Sequence, residues 1–475
     1  MTTECTATSW TMEGPGRRKV EVDFSGGRIS SDGGGLLLRQ VDRRVRLTER
    51  MAGCFKDYRD QDLIEHTIEE ISAQRVIGLA LGYEDLSDHE ALSRDPLMAA
   101  VIGKEDVRGQ GRRRRRDRGQ ASASASTLGR VERTTADASN KSRYNKVVCD
   151  FDALRDLFVD IYIEHETRAP TVIVLDLDPS DIPLYGMQEQ RFFHGHYGHH
   201  CYLPMYLFCG EYPLAVKLRP SNIDGALGAA EMLEPVIKRI RAKWPEVQII
   251  IRGDSGFCRE DLMRFCEGNR IDYVLGVARN ARLEAKISTQ MERARREHLQ
   301  TQRPARRFRE FEYRTLKTWS RSRRVVGKAE YLAKGANPRF VVTSLPAAQY
   351  EKAYLYEELY CARGEMENRI KELQLDLFGD RASCHTFRGN EVRGWFSLAA
   401  HVLIVALRER ALSGTELAKA QASTLRVRLL KIGAQVTVSV RRVYVRLSSA
   451  FPLQDIFAQA VERLRSPPVP LPAAA

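Results

Sequence analysis

"TVIVLDLDPSD", residues 171–181, decides the fold. Its β-branched and leucine residues run almost unbroken until two aspartates arrive, which reads as a buried strand. Side chains alternate between the two faces of a strand. Val172, Val174, Asp176 and Asp178 therefore share one face, with both carboxylates at the carboxyl end. "CYLPMYLFC" (201–209) and "YPLAVKLR" (212–219) read as second and third strands around a turn at Gly210. A long helix over roughly 225–243 comes next, then the buried strand "VQIIIRGD" (247–254). A short helix from about Arg259 and the strand "DYVLGVA" (272–278) complete the series.

Three strands, helix, strand, helix, strand is the element order of an α/β, ribonuclease-H-like (retroviral-integrase-like) catalytic core. Residues 280–350 interrupt it with a basic stretch whose strand-like pieces are "FREFEYRTL", "RRVVGKAEY" and "RFVVTSL". They are expected to form a β-rich insertion within the core. The expected organisation is a mainly helical DNA-binding region over 1–103 and a basic low-complexity linker over 104–126. The core then runs over 127–279, is interrupted by the insertion at 280–350, and resumes over 351–412. A basic tail with a hairpin occupies 413–475. There is no internal repeat.

The chain has 475 residues, 43% apolar and 8% aromatic, which says globular. Its net charge is +13, with a pI near 9.3, and suggests a polyanionic partner, most simply nucleic acid. No apolar run long enough to span a membrane and no signal-peptide pattern is present. The nine cysteines are scattered without a C-x-x-C pair, which fits a reducing compartment. "FFHGHYGHHCY" (192–202) is rich in imidazoles, but lacks the second ligand pair of a zinc site and reads as strand and turn. Ser87 with Glu90 suggests a capping box, and the helical pattern from Asp60 to about Gly103 is compatible with a helix-turn-helix reader or with a packing unit. "KEDVRGQGRRRRRDRGQASASAS" (104–126) reads as an exposed arm, with Arg113 and Arg114 suited to phosphate contact.

Chemistry concentrates in three places. Asp176 and Asp178 end the first strand, and Asp254 leaves a second apolar strand just after Gly253. An aspartate emerging from a buried strand is costly unless it is paired or binds a cation. "YCARGEMENRIKELQLD" (360–376) carries an apolar helical stripe and, beside it, a second stripe of Tyr360, Arg363, Glu367, Lys371 and Gln374. Read blandly, this is a surface salt-bridge ladder. With the two aspartate-bearing strands, it instead supplies the oxygen ligands that Mg²⁺ prefers and cations for DNA phosphate.

These residues resemble DDE transposases of bacterial insertion sequences, in the branch with a Tyr-Arg-Glu-Lys signature, and within it the insertion sequence 1380 group. The resemblance rests on "LDLDPSD", "FFHGHYGHHCYLPMYLFCGE", "LRPSNID", "IIIRGDSGF", "WSRSRRVVGKAEY", "NPRFVVTSL" and "YCARGEMENRIKELQLDLFGDRASCH" in that order. It implies Asp178, with Asp176 as the alternative, then Asp254 and Glu367 as catalytic metal ligands. Tyr360 and Arg363 fall at the signature's spacing, but Gln374 stands at the lysine's place and Lys371 is expected to take that role. Ser180, Tyr185 and Met187 also depart from the family's pattern. Trp319 is expected either to stack on a flipped base or to sit in a core. Arg323, Arg324 and Lys328 are expected at DNA.

The resemblance further implies two Mg²⁺ ions per site, with Mn²⁺ as substitute, and cleavage and strand transfer on double-stranded DNA. The DNA partners are the terminal inverted repeats of the element and a target. It also implies a homodimeric synaptic complex, no membrane partner, and a cytoplasmic, nucleoid-associated location in bacteria. The rival readings are a nuclease on the same fold without strand transfer, and a DNA-binding derivative that has lost catalysis.

Overall fold

The computed structural model describes residues 9–465. The signal-peptide reading and Cys5 fall wholly or partly on residues 1–8, and the end of the expected tail on 466–475, outside the described residues. The chain folds as two compact units. One takes the residues up to Val131, Asp137–Val148 and those from Ala406 on; the other takes Glu132–Ala136 and Cys149–Val405.

The second unit is built on a nine-stranded mixed sheet. Its strands are β1 (Val172–Pro179), β2 (Met205–Cys209), β3 (Tyr212–Lys217), β4 (Gln248–Gly253), β5 (Asp272–Val277), β6 (Ala305–Tyr313), β7 (Arg323–Leu332) and β8 (Arg339–Thr343). The order is β3-β2-β1-β4-β5-β8-β7-β6, with the short strand Gly335–Ala336 pairing β7 off this path. β1, β2 and β3 form an antiparallel meander, while β4 runs parallel to β1 and β5 parallel to β4. Parallel neighbours need a crossover, and the helices Ala229–Lys243 and Glu260–Gly268 provide them. β1 and β4 are covered on both faces, which is why they read as continuous apolar runs.

The residues expected as an insertion continue this same sheet. β8 pairs antiparallel with β5, and β7 and β6 follow outward. Ile250, Val274, Val326 and Val341 therefore share one core cluster with Leu355 and Tyr356.

In the first unit, the choice between a helix-turn-helix reader and a packing unit falls to the packing unit. The helix Ile68–Leu81 is buried at every position from Ile71 onward, and Pro96–Val101 is buried except at Ala100. A recognition helix must present an open face to a groove, and neither does. The capping box expected at Ser87 does not form, because Ser87 is itself helical (φ −59°, ψ −32°). The reciprocal box lies at Thr67 and Glu70 instead, with bonds of 3.1 and 3.0 Å. Nor is residues 104–126 an exposed arm throughout. Ala121 and Ala123 are buried, and the Gln74 amide bonds both backbone groups of Ala123. Arg113 to Arg116 remain exposed.

Among the described residues, the eight cysteines form no disulfide and no helix is long and apolar enough to cross a membrane.

Candidate active site

β1 and β4 lie in parallel register, with Arg252 opposite Asp176 and Gly253 opposite Leu177. Asp254, one residue past that register, therefore leaves its strand beside Asp178. Asp176 is engaged elsewhere. Both of its carboxylate oxygens accept from Arg252, at 2.5 and 2.7 Å, in a pair that is nearly fully buried. The same guanidinium donates to the Leu359 carbonyl at 2.6 Å, tying both strands to the segment that precedes Tyr360. A bidentate pair uses up the oxygens a cation would need, so Asp176 serves as a tether.

Asp178 sits differently. Burial pushes its carboxyl up to about 7; Arg363 opposes this, while Asp254, Glu367 and Asp176 add to it. The nearest opposite charge is Arg363, whose Nη1 lies 3.6 Å from Asp178 while its Nη2 bonds Glu367 at 2.6 Å. The Arg363–Glu367 pair is thus the i, i+4 ladder of the bland reading, turned so that the arginine also reaches the strand. Asp254 caps a short 3₁₀ turn, accepting from the Gly256 amide at 2.8 Å through Oδ1. Its other oxygen has no hydrogen bond among the described residues.

The segment bearing Glu367 is not one regular helix. It runs as a π-turn (Leu355–Tyr360), a 3₁₀ turn (Cys361–Arg363), an α-helix (Gly364–Lys371) and a second π-turn (Glu372–Asp376). Each change of pitch rotates the later side chains relative to a constant 100° per residue. The apolar stripe is therefore buried at Met366, Ile370, Leu373 and Leu377, but only half-buried at Leu359 and Ala362. The second stripe divides as well. Tyr360, Arg363 and Glu367 flank the aspartates, Lys371 is exposed, and Gln374 is buried.

Gln374 accepts from the Ser180 hydroxyl and donates to the Asp181 carbonyl, both at 3.1 Å. The two departures from the family pattern, serine and glutamine, are thus partners that pin the chain just beyond Asp178.

Three further residues belong here and escaped the sequence reading. Arg252 was signalled by an arginine inside an isoleucine run, which demands a buried partner. Gly276 interrupts β5 because a Cβ there would lie 2.6 Å from the Tyr360 hydroxyl and 2.9 Å from the Ser255 amide. A lone glycine in a strand marks such close approach. Tyr197 lies in the imidazole-rich turn. Burial raises its phenol's pKa, and Asp181, Asp178 and Asp254 raise it further. No composition signal marked it. In the same hairpin His199 pairs with Asp181 at 2.8 Å.

The expected DNA contacts on the insertion are corrected. Trp319 is 4% exposed, edge-on to Tyr313 at 5.7 Å and under the Arg323 guanidinium, so no face is open to a base. Arg323 is buried between Glu260 and Glu267. Arg324 pairs with Glu310 and bonds the Leu345 and Tyr350 carbonyls. Lys328 pairs with Glu330 at 2.6 Å. All four brace the sheet. Arg113 and Arg114 are exposed, although Arg113 also donates to the Asp62 carbonyl.

The donor set fits a hard divalent cation: carboxylates at the carboxyl ends of two neighbouring interior strands and on the segment beside them, one disfavoured as an anion by burial. Among the described residues no three candidate ligands are drawn close enough to hold an ion as they stand. Arg363, between Asp178 and Glu367, supplies the positive charge there.

Asp178 and Glu367 meet at Arg363, and Asp254 adds its negative charge beside Asp178. The chain belongs to the family described as Transposase DDE domain group 1, whose model matches residues 13–469. That is a family of metal-dependent phosphoryl-transfer enzymes. Among solved structures the chain is similar to a piggyBac transposase synaptic complex with hairpin DNA, at 10% identity and a TM-score of 0.36. The likeness covers 93% of this chain and 84% of that one, and is too loose to carry an inference. No curated protein matches the chain significantly.

Proposed function

We propose that the protein is a DNA transposase of the insertion sequence 1380 kind, with a ribonuclease-H-like core that cuts and joins DNA at Asp178, Asp254 and Glu367. The observation that carries this reading is the convergence of Asp178 with Asp254 and Glu367 at the carboxyl ends of β1 and β4, around Arg363. The strand order, an antiparallel meander followed by two parallel strands, supports the core assignment.

Asp178, Asp254 and Glu367 would hold Mg²⁺ or Mn²⁺, two ions per site. A metal held there would supply activation of the attacking oxygen and charge to offset that on the scissile phosphate. The chain's own residues do the rest. Arg363, placed between Asp178 and Glu367, offers its planar donors to the phosphate. Lys371, one turn beyond Glu367 and exposed, contacts the backbone next to it. Arg252 holds Asp176 and the Leu359 carbonyl so that the helix cannot slide along the strands. Gln374 fixes the exit of β1 through Ser180 and Asp181.

The substrates are the terminal inverted repeats of the element and then a target duplex, held by a synaptic homodimer in a bacterial cytoplasm. The test is incubation of the purified protein with its own flanking DNA in Mg²⁺ or in EDTA. Cleavage at the element boundary in Mg²⁺ alone supports the reading. Tight boundary binding without cleavage in either condition refutes it and favours a non-catalytic derivative.

A further inference from the structure

We infer that the hairpin formed by Ala434–Val438 and Val443–Leu447 is a β-ribbon that enters a groove of duplex DNA, its tip arginines on the phosphates. The inference rests on the transposase reading for its partner, but on separate residues for its site.

The hairpin carries arginines that stand without carboxylates. Arg441 and Arg442 form its exposed tip and Arg446 lies on an exposed strand position. Among the described residues none of the three has an ion pair. The contrast with the basic stretch of the other unit is sharp. There Arg306, Arg307, Arg321, Arg323, Arg324 and Lys328 are each matched to a glutamate. Positive charge paired within the fold is a poor ligand for polyanion; unpaired charge on an exposed tip is a good one.

The ribbon is also shaped and braced for the task. The strand Arg28–Ser30 pairs only with Ala434, Gln435 and Val436. The rungs Thr437–Tyr444 and Val438–Val443 and the turn beyond them therefore project as two strands alone. The turn is fixed, since the Ser439 amide donates to the Arg442 carbonyl at 2.8 Å and the Arg442 amide donates to the Ser439 hydroxyl at 3.1 Å. One face is anchored: Val438 packs on Ala99, Val107 and Ala121, and Arg108 donates to the Val438 carbonyl. The opposite face presents Thr437, Tyr444 and Arg446, with the Arg446 guanidinium 5.5 Å from the Tyr444 ring centre. Val440 is fully exposed at the apex. A two-stranded ribbon fits the major groove, about 12 Å wide, where phosphates flank it and an apolar apex can meet base edges.

The test compares full-length wild type with Arg441→Ala/Arg442→Ala and with Arg441→Lys/Arg442→Lys. Binding is measured over a salt series to two duplexes of equal length, one bearing the element's end and one unrelated. Losing two phosphate contacts should lower the slope of log affinity against log salt by about 1.8. Affinity should fall at least tenfold in the alanine variant, and the lysine variant should keep the wild-type slope. A loss confined to the end-bearing duplex assigns the ribbon to the terminal repeats, and a loss on both assigns it to any duplex, target included. Both outcomes support the inference. Wild-type slope and affinity in the alanine variant overturn it while leaving the transposase reading intact. Failure of the wild type to bind either duplex would instead overturn that reading and this one with it. Both positions are exposed, so an unchanged melting curve checks the fold.

Discussion

Asp178→Asn should make the metal-free protein more stable at pH 8. The Asp178 carboxyl is raised from an ordinary 3.8 to about 7, with burial as the first cause. Folding therefore favours its neutral form, and its ionisation in the folded state works against folding. The sign follows: below about pH 4 the group is neutral in both states and costs nothing. The penalty grows as pH rises toward the folded value and is fully present above about 7. A shift of about three units at 1.36 kcal/mol each gives about 4 kcal/mol as an upper bound. An asparagine keeps the shape but must find its own hydrogen bonds, so a gain of about 1–3 kcal/mol is expected. For a unit of this size that is a rise of several degrees in Tm. The assay is thermal unfolding of wild type and variant in EDTA at pH 5 and pH 8, then with added Mg²⁺. The gain should be largest at pH 8 and shrink toward pH 5. Mg²⁺ should raise the Tm of the wild type but not of the variant. A variant less stable than wild type at pH 8, or one stabilised equally by Mg²⁺, would refute the placement of Asp178 in a cation site.

Three other expectations follow from contacts. Trp319→Ala should cost about 3–5 kcal/mol in urea unfolding, as for a large buried aromatic. Trp319→Leu should leave DNA cleavage by the folded protein within a fewfold of wild type, whereas a base-stacking platform would lose about 1–3 kcal/mol of stacking. Gln374→Lys, which restores the family's lysine, should destabilise by about 1–3 kcal/mol by breaking the bonds to Ser180 and Asp181 and burying a charge; a gain in cleavage without loss of stability would contradict this. Gly276→Ala should displace the Asp254 turn or Tyr360 and reduce cleavage more than tenfold in kcat, and an unchanged rate would show that neither position matters.

Much of the architecture was legible because strands carry their own signal. The runs at 172–179, 248–253 and 272–277 lie within one or two residues of their expected places, since strands buried on both faces leave little room for polar residues. Asp254 and Glu367 stood out for a related reason, as polar groups where apolar burial was due to end. Other features had no local mark. A π-turn inserts no unusual residue, so the break at Leu355–Tyr360 could not be read from spacing, and Gln374 was assigned to the wrong environment. Arg323 read as a DNA contact because its partners, Glu260 and Glu267, lie far off in sequence. Trp319 could not be assigned between a base platform and a core from sequence, because exposure is a tertiary property. In the helix Ile68–Leu81, burial on nearly every side outweighed a helix-turn-helix spacing that packing pairs share.

The most direct measurement is strand joining by the purified protein in Mg²⁺, with a duplex carrying a pre-cut 3′-hydroxyl element end and a supercoiled target plasmid. Wild type should join the end to the plasmid, while Glu367→Gln should bind the end with near wild-type affinity yet yield no joined product. Joining by Glu367→Gln at the wild-type rate, or a wild type that nicks DNA but never joins it, would contradict a transposase centred on Asp178, Asp254 and Glu367.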